Sequence, residues 1–334
     1  MRIGLSYDLK EGLLPEQDSP DDAFEEYDSP ATVAFIVAAL EAKGHSVVLL
    51  GGGMRFLDNV RRERVDIVFN IAEGRGSYRS REAQVPSILE MLEIPYSGSD
   101  PNCLVVCLDK SVTKKLAVAD GIITPKWLTI ASEKELWLTS WDNFPFPAIV
   151  KPSYEGSSKG IRFSSLAYSV KQAQEEAGKI LECYHQPAMV EEFIDGDEVT
   201  VGMIGNSPPK ILGVMRVIPR NNREHFIYSL EVKRDYLDLV DYECPSNLPQ
   251  EVLDKLAESS LKAFKALGCR DFARLDFRIS PEGIPYFIEI NPLPGLGSYS
   301  DLIIMAKMMG WTHQEIIGTV FDAALERYPQ CVSV

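Results

Sequence analysis

The stretch from Arg274 to Ser300, RLDFRISPEGIPYFIEINPLPGLGSYS, constrains the fold more than any other part of the chain. Polarity alternates over Phe272 to Arg278 and again over Pro285 to Ile290, and the Pro and Gly between them mark a turn. Two short paired strands are therefore expected. Strand side chains project with period two, so Arg274 and Asp276 share one face of the first strand, and Glu289 and Asn291 one face of the second. With the turn centred on Glu282 and Gly283, Asp276 falls opposite Glu289 and Arg274 opposite Asn291, all on a single face. That gathers two carboxylates, one amide oxygen and one guanidinium. Hard oxygen donors of this kind suit Mg²⁺, and neighbouring carboxylates repel one another unless a cation lies between them. The alternative is a surface hairpin with scattered charges, and a one-residue slip would send the acids to opposite faces. The loop that follows, Asn291 to Ser300, is dense in Gly and Pro and can turn backbone N–H groups toward an anion.

Charge narrows the partners. The chain has 334 residues, enough for two or three structural units, and a formal net charge of -15 with no block of Lys or Arg. Nucleic acid and anionic membranes are poor partners for such a surface. A nucleotide is not excluded, because Mg²⁺ and a few local lysines set the potential at its phosphates. No apolar run of signal-peptide length opens the sequence, and the longest one, Val33 to Leu40, is far too short to span a bilayer, so a soluble cytoplasmic protein is expected. Six cysteines without a CxxC pair read as free thiols of a reducing compartment. Cys103 and Cys107, one helical turn apart, would serve a metal or simply the core.

Residues 2 to 6, 46 to 50 and 65 to 71 are buried-strand candidates, with helices expected near 30 to 43, 54 to 64 and 82 to 93. This alternation makes a small parallel α/β unit, whose ligands bind beyond the carboxyl ends of the strands. Two loops lie there, the acidic Tyr7 to Asp28 and Ala72 to Arg81. The first carries Glu25, Glu26 and Asp28 just before a helix start at Ser29-Pro30; its acids are either solvated or receive a substrate ammonium. Asp109 to Asp120 looks helical, with Lys110, Lys114 and Lys115 along it. Phe146 to Lys151 reads as a buried strand that delivers a lysine to the Ser153 to Gly160 loop. Small residues beside a lysine suit phosphate, although GxxxxGK[ST] is absent and a mobile hairpin tip would look similar. Residues 187 to 205 read as strand, turn, strand, with Glu191 and Glu198 flanking Asp195-Gly196. Residues 207 to 247, with Lys233 and Arg234, read as a polar connection with few regular signals, as in a lid or binding loop. Pro249 to Leu267 is an amphipathic helix, and Leu302 to Tyr328 gives two closing helices.

In order and spacing, DKxxTK, IVKP followed by EGSSxG, VEEFIDGDEVTV, LGCRDFARLDF and FIEINPLPGLGSYS resemble the D-alanine–D-alanine ligase family of the ATP-grasp fold, from about Phe69 to Tyr328. The resemblance implies an α/β (α+β) protein of three subdomains: an N-terminal parallel α/β domain over 1–104, a central ATP-grasp subdomain over 105–186, and a C-terminal one over 187–334 with the metal site and a mobile loop at 207–247. Carried over residue by residue, it puts Lys110 and Lys151 on ATP phosphates, beneath a closing loop of Glu155, Gly156, Ser157 and Ser158. Glu191, Glu192 and Ile194 would lie at the adenine and Glu198 at the ribose. Asp276, Glu289 and Asn291 would hold two Mg²⁺ ions, or Mn²⁺ in their place. Arg274 and the Gly295 N–H would form an oxyanion site, Ser298 and Ser300 would face the second substrate, and Lys233 matches a basic residue of the mobile loop. The implied reaction activates one amino acid as an acyl phosphate at the expense of ATP and joins it to the amine of another. The implied assembly is a homodimer acting on small amino-acid substrates.

The departures cluster at the amino-acid pockets. Arg234 stands where the family's tyrosine follows the loop lysine, Glu73 where a histidine is expected after the third strand, and the acidic 7–28 loop where a compact Glu motif is usual, with Glu26 or Asp28 as its substitute. Three functions remain open: a ligase for D-alanine or a close relative, an amide or peptide ligase for other amino-acid-like substrates in specialised metabolism, and a nucleotide-binding regulator without catalysis. The full set Lys110, Lys151, Asp276, Glu289 and Asn291 speaks against the last.

Overall fold

The computed structural model describes residues 1–11, 13, 19–221 and 225–332. Parts of the acidic 7–28 loop and of the 207–247 connection, namely 12, 14–18 and 222–224, lie outside the described residues.

The chain opens with β1 (Arg2–Tyr7), α1 (Pro30–Ala42), β2 (Ser46–Leu49), α2 (Gly53–Arg62) and β3 (Ile67–Ile71). These strands form a parallel sheet in the order β2-β1-β3. Ile3, Leu5, Ile67 and Phe69 are wholly buried, as expected of parallel strands covered on both faces. Ser29 caps α1, its hydroxyl accepting from the Thr32 N–H at 3.2 Å, with Pro30 in the first turn. Three further helices follow, α3 (Gln84–Met91), α4 (Pro101–Leu108) and α5 (Lys110–Ala119). Cys103 and Cys107 of α4 join Cys269 in an apolar cluster with Leu275, Phe277 and Phe287. The Cys103 Sγ lies 3.8 Å from that of Cys107 and 3.6 Å from that of Cys269, and all six thiols are free.

Next come β4 (Trp127–Ile130), α6 (Glu133–Leu138), β5 (Ala148–Pro152), β6 (Leu166–Ala167), α7 (Val170–Tyr184) and β7 (Ala188–Glu192). They build an antiparallel sheet, β4-β7-β5-β6, against which α7 buries Ala173, Ala177 and Ile180. The last part holds β8 (Asp197–Ile204), β9 (Lys210–Pro219), α8 (Leu230–Arg234), α9 (Tyr236–Leu239), β10 (Val240–Glu243), α10 (Gln250–Ala266), β11 (Phe272–Ile279), β12 (Pro285–Asn291), α11 (Asp301–Met308), α12 (His313–Glu326) and α13 (Pro329–Val332). Its sheet is antiparallel, β10-β9-β8-β11-β12. Helix α12 returns to the opening unit, where Ile316, Val320 and Phe321 share a core with Ile36 and Leu40 of α1.

Three expectations need correction. Residues 187–205 are strand, turn, strand as expected, but the two strands do not pair with each other as the turn between them suggests: β7 pairs with β4 and β5, whereas β8 pairs with β9 and β11. The strand signals were present, but the apolar Phe193-Ile194 segment carries the chain from one sheet to the other. For the same reason the expected boundary at 186/187 would cut β7 from its own sheet. Residues 207–247 are also more regular than their polarity suggests, because β9 lies between β8 and the edge strand β10 and buries alternate residues on one face. Among the described residues, no helix is long and apolar enough to cross a membrane.

Candidate active site

The hairpin that opened the sequence argument has the expected register at its polar end only: a bulge between Asp276 and Phe277 shifts the turn end by one residue, so that Phe277 lies opposite Phe287 and Ile279 opposite Pro285. Arg274 pairs with Asn291 and Asp276 with Glu289 across β11 and β12, and Gly283 closes the turn with φ 75°, donating its N–H to Ser280 O at 2.8 Å. The polar face is tightly knit. Arg274 donates to Asp276 at 2.8 Å, and the Asn291 amide lies 3.3 Å from Asp276 and 3.4 Å from Glu289. Two carboxylates and an amide oxygen converging from adjacent strands are a donor set that fits a hard divalent cation. Burial raises the Glu289 carboxyl, but Lys110, Lys151 and Arg274 outweigh it and hold it at about 2, so it is ionised.

The face lines two adjoining clefts. One lies between the central and last sheets, walled by Ile149, Phe193, Ile194 and Ile288 with Lys151, Glu191, Glu192 and Glu198 among its polar groups. Lys151 of β5 and Lys114 of α5 both reach Glu191, at 2.8 Å and 2.6 Å, inside the protein. Burial alone would discharge both lysines; Glu191 raises Lys151 above its usual value, while Lys114 remains depressed to about 8. Glu191 is thus committed to two lysines, and Glu198 to Arg278 at 2.7 Å. Lys114 and Arg278 were not singled out as site residues by sequence reasoning. Lys114 was visible one helical turn from Lys110, but only the sheet order shows that it meets Glu191.

The other cleft runs from this face to the carboxyl ends of β1 and β3 and is lined by Glu26, Asp28, Glu73, Lys110, Gly156, Ser157, Lys233, Gly295 and Ser300, among others. Lys110 donates to the Glu155 carbonyl and stands 3.4 Å from Glu289. The loop over the cleft is strained, since Ser157 and Ser158 have φ of 51° and 58°, a region that non-glycine residues rarely occupy and that is found most often at ligand clamps. Ser158 fastens this loop to α8's approach by donating to Tyr228 O at 2.8 Å. Lys233 lies over the Tyr228 ring at 5.1 Å. Arg234 bridges to Asp21 at 3.0 Å and Glu25 at 2.9 Å, tying α8 to the acidic loop. Glu26 is wholly engaged, by Arg81 at 2.8 Å and by the Gly156 N–H at 2.5 Å. Ser298 is exposed and lines neither cleft, and the Ser300 hydroxyl donates to Gly297 O at 2.6 Å.

Residues 116–322 match the family model described as D-ala D-ala ligase C-terminus. A D-alanine–D-alanine ligase of Aquifex aeolicus is 34% identical over 290 residues, covering 85% of this chain and 91% of that protein. The chain belongs to the D-alanine–D-alanine ligase family. It is accordingly an ATP-dependent ligase of the ATP-grasp fold. An uncharacterised Sinorhizobium fredii protein, y4sG, is 33% identical over 304 residues, covering 88% of this chain and 87% of its own. The fold likeness is complete in length: a Bacillus anthracis D-alanine–D-alanine ligase solved with ATP superposes with a TM-score of 0.75 at 23% identity, over 99% of both chains.

Proposed function

We propose that this member of the D-alanine–D-alanine ligase family joins two amino acids, D-alanine or a close relative among them, through an acyl phosphate. The observation that carries the assignment is the β11–β12 register, which puts Asp276, Glu289, Asn291 and Arg274 on one face within reach of Lys110 and Lys151. Lys110 and Lys151 hold the phosphates, with Glu191 orienting Lys151, and the loop Glu155 to Ser158 covers them. Ile194 and Glu192 face the adenine and Glu198 the ribose. Asp276, Glu289 and Asn291 hold Mg²⁺. The metal supplies charge neutralisation at the oxygens of the transferring phosphoryl group. Arg274 and the Gly295 N–H stabilise the oxyanion that forms at the carbonyl carbon, and Ser300 faces the second amino acid. Helix α8, carrying Lys233, closes the cleft and keeps water from the activated carboxyl group.

Six free thiols and the need for ATP support a cytoplasmic location, and family likeness supports a homodimer, which sedimentation would test. The decisive experiment is phosphate release from MgATP with single and paired D- and L-amino acids, product masses being read alongside. A D-alanyl-D-alanine mass that vanishes in Glu289→Gln sustains the assignment. Phosphate release indifferent to every amino acid removes it.

A further inference from the structure

The acids around the amino-acid cleft fall into two classes. Most have a cation from the chain itself: Glu26 and Glu155 share Arg81 and Lys159, Glu25 has Arg234, Glu289 has Lys110, and Asp301 has Arg274. Asp28, Glu73 and Glu82 line the same cleft, yet among the described residues their carboxylates make no hydrogen bond and no ion pair. Asp28 and Glu82 are each only 8% exposed, and Glu73 is half-buried. Buried carboxylates without partners are costly and call for an explanation.

The chain brings these acids together deliberately. Glu73 follows β3 and Glu82 precedes α3, and the loop between them folds back at Gly74, with φ 80°, where a Cβ would lie 2.0 Å from the Arg81 carbonyl oxygen. Arg81 turns to Glu26 and Glu155 instead of its neighbour Glu82. Burial and mutual repulsion lift the Glu73 carboxyl well above its usual range, and burial lifts Glu82 to about 8 and, with Asp8, Asp28 to about 7. Alone, such a wall holds protons; a bound cation would take their place.

One α-ammonium accounts for one carboxylate and leaves two. We propose that this wall selects an amino-acid substrate with a cationic side chain, of the diamino or guanidino class, Asp28 receiving the α-ammonium and Glu73 with Glu82 the side-chain cation. The inference rests on the ligase assignment of the same cleft and deepens it. It also gives Glu73 a purpose where the family resemblance expects a histidine.

The test compares lysine, ornithine and arginine, in both enantiomers, with alanine and with norleucine, the neutral analogue of lysine. With MgATP and each partner amino acid, phosphate release and product mass are measured. A KM for a cationic substrate at least about tenfold below that for norleucine is expected, the scale of one hydrogen-bonded charge pair. Glu82→Gln and Glu73→Gln should each erase most of that ratio, with calorimetric binding of a non-hydrolysable ATP analogue confirming that the variants are folded. Norleucine or D-alanine used by the wild type as well as lysine overturns the inference and leaves the ligase assignment intact. No turnover with any member of the panel removes both.

Discussion

The two clefts, one proposed above for the nucleotide and the other for the amino acids, share the β11–β12 face but are balanced in opposite ways. Around the first, charges are matched within the chain: Glu191 with Lys151 and Lys114, Glu198 with Arg278. Around the second, the carboxylates of Asp28, Glu73 and Glu82 make no hydrogen bond and no ion pair among the described residues, although Lys10 acts on Asp28, Arg81 on Glu73, and Arg81 with Lys110 on Glu82 from a distance. A site whose ligand is common to a whole family can be built pre-neutralised. On the inference above, a site whose ligand sets this chain apart keeps its complement open, at the positions where the sequence departs from the family's pattern.

The comparison breaks first if the matched side is dispensable. Glu289→Gln should lower kcat/KM by about 10³-fold, roughly 4 kcal/mol of barrier, because one donor of the cation site and the partner of Lys110 are lost together. Steady-state phosphate release with saturating amino acids measures it; a loss of less than about tenfold would place the phosphoryl chemistry elsewhere. Next is Arg81, 2% exposed, which joins the acidic loop to the phosphate-covering loop through Glu26 and Glu155. Arg81→Ala leaves Lys159 as the remaining cation on those two acids, beside the Gly156 N–H on Glu26 and the Gln186 amide on Glu155, and should cost about 3 kcal/mol of stability in urea unfolding.

How much of this was written in the sequence follows the same division. The pairing of Asp276 with Glu289 was expected from alternation, a Pro-Gly turn and side-chain period two, which are local properties, but the bulge between Asp276 and Phe277 that brings it about was not legible. The commitment of Glu191 to Lys114 was not legible, since it requires β7 to lie between β4 and β5, and sheet order is a long-range property. The crossing at Phe193-Ile194 was hidden for the same reason, because two strands joined by Asp195-Gly196 look alike whether or not they pair. Arg81 and Glu82 lay at the edge of a loop already noted, but their opposite orientations depend on Gly74 and on where Glu26 sits across the cleft.

The unmatched side gives a pH signature. Glu82 titrates near 8 in the folded protein against an ordinary 4.5, so between those values the native state holds a proton that the unfolded chain has released. Its contribution to stability is complete below 4.5 and is lost as the pH rises through 8; Asp28 acts in the same sense through about 7. Glu82→Gln should therefore melt about 3 °C higher than wild type at pH 8 and at an equal temperature below pH 4.5. Calorimetric scans of the ligand-free protein check it, and an equal Tm at both pH values would mean that Glu82 already has a partner.

The smallest expected effect lies where the two sides are fastened together. Arg234 ties α8 to Asp21 and Glu25 across a part-exposed surface, and such pairs contribute about 1 kcal/mol or less. Arg234→Ala should leave kcat for the chemical step nearly untouched and raise the amino-acid KM several-fold, because a less well held α8 leaves the cleft open for longer. Added salt should narrow the gap between variant and wild type, since screening weakens the bridge in the wild type and has nothing to weaken in the variant. A KM that rises for ATP and not for the amino acid would move α8 from the unmatched side of the comparison to the matched one.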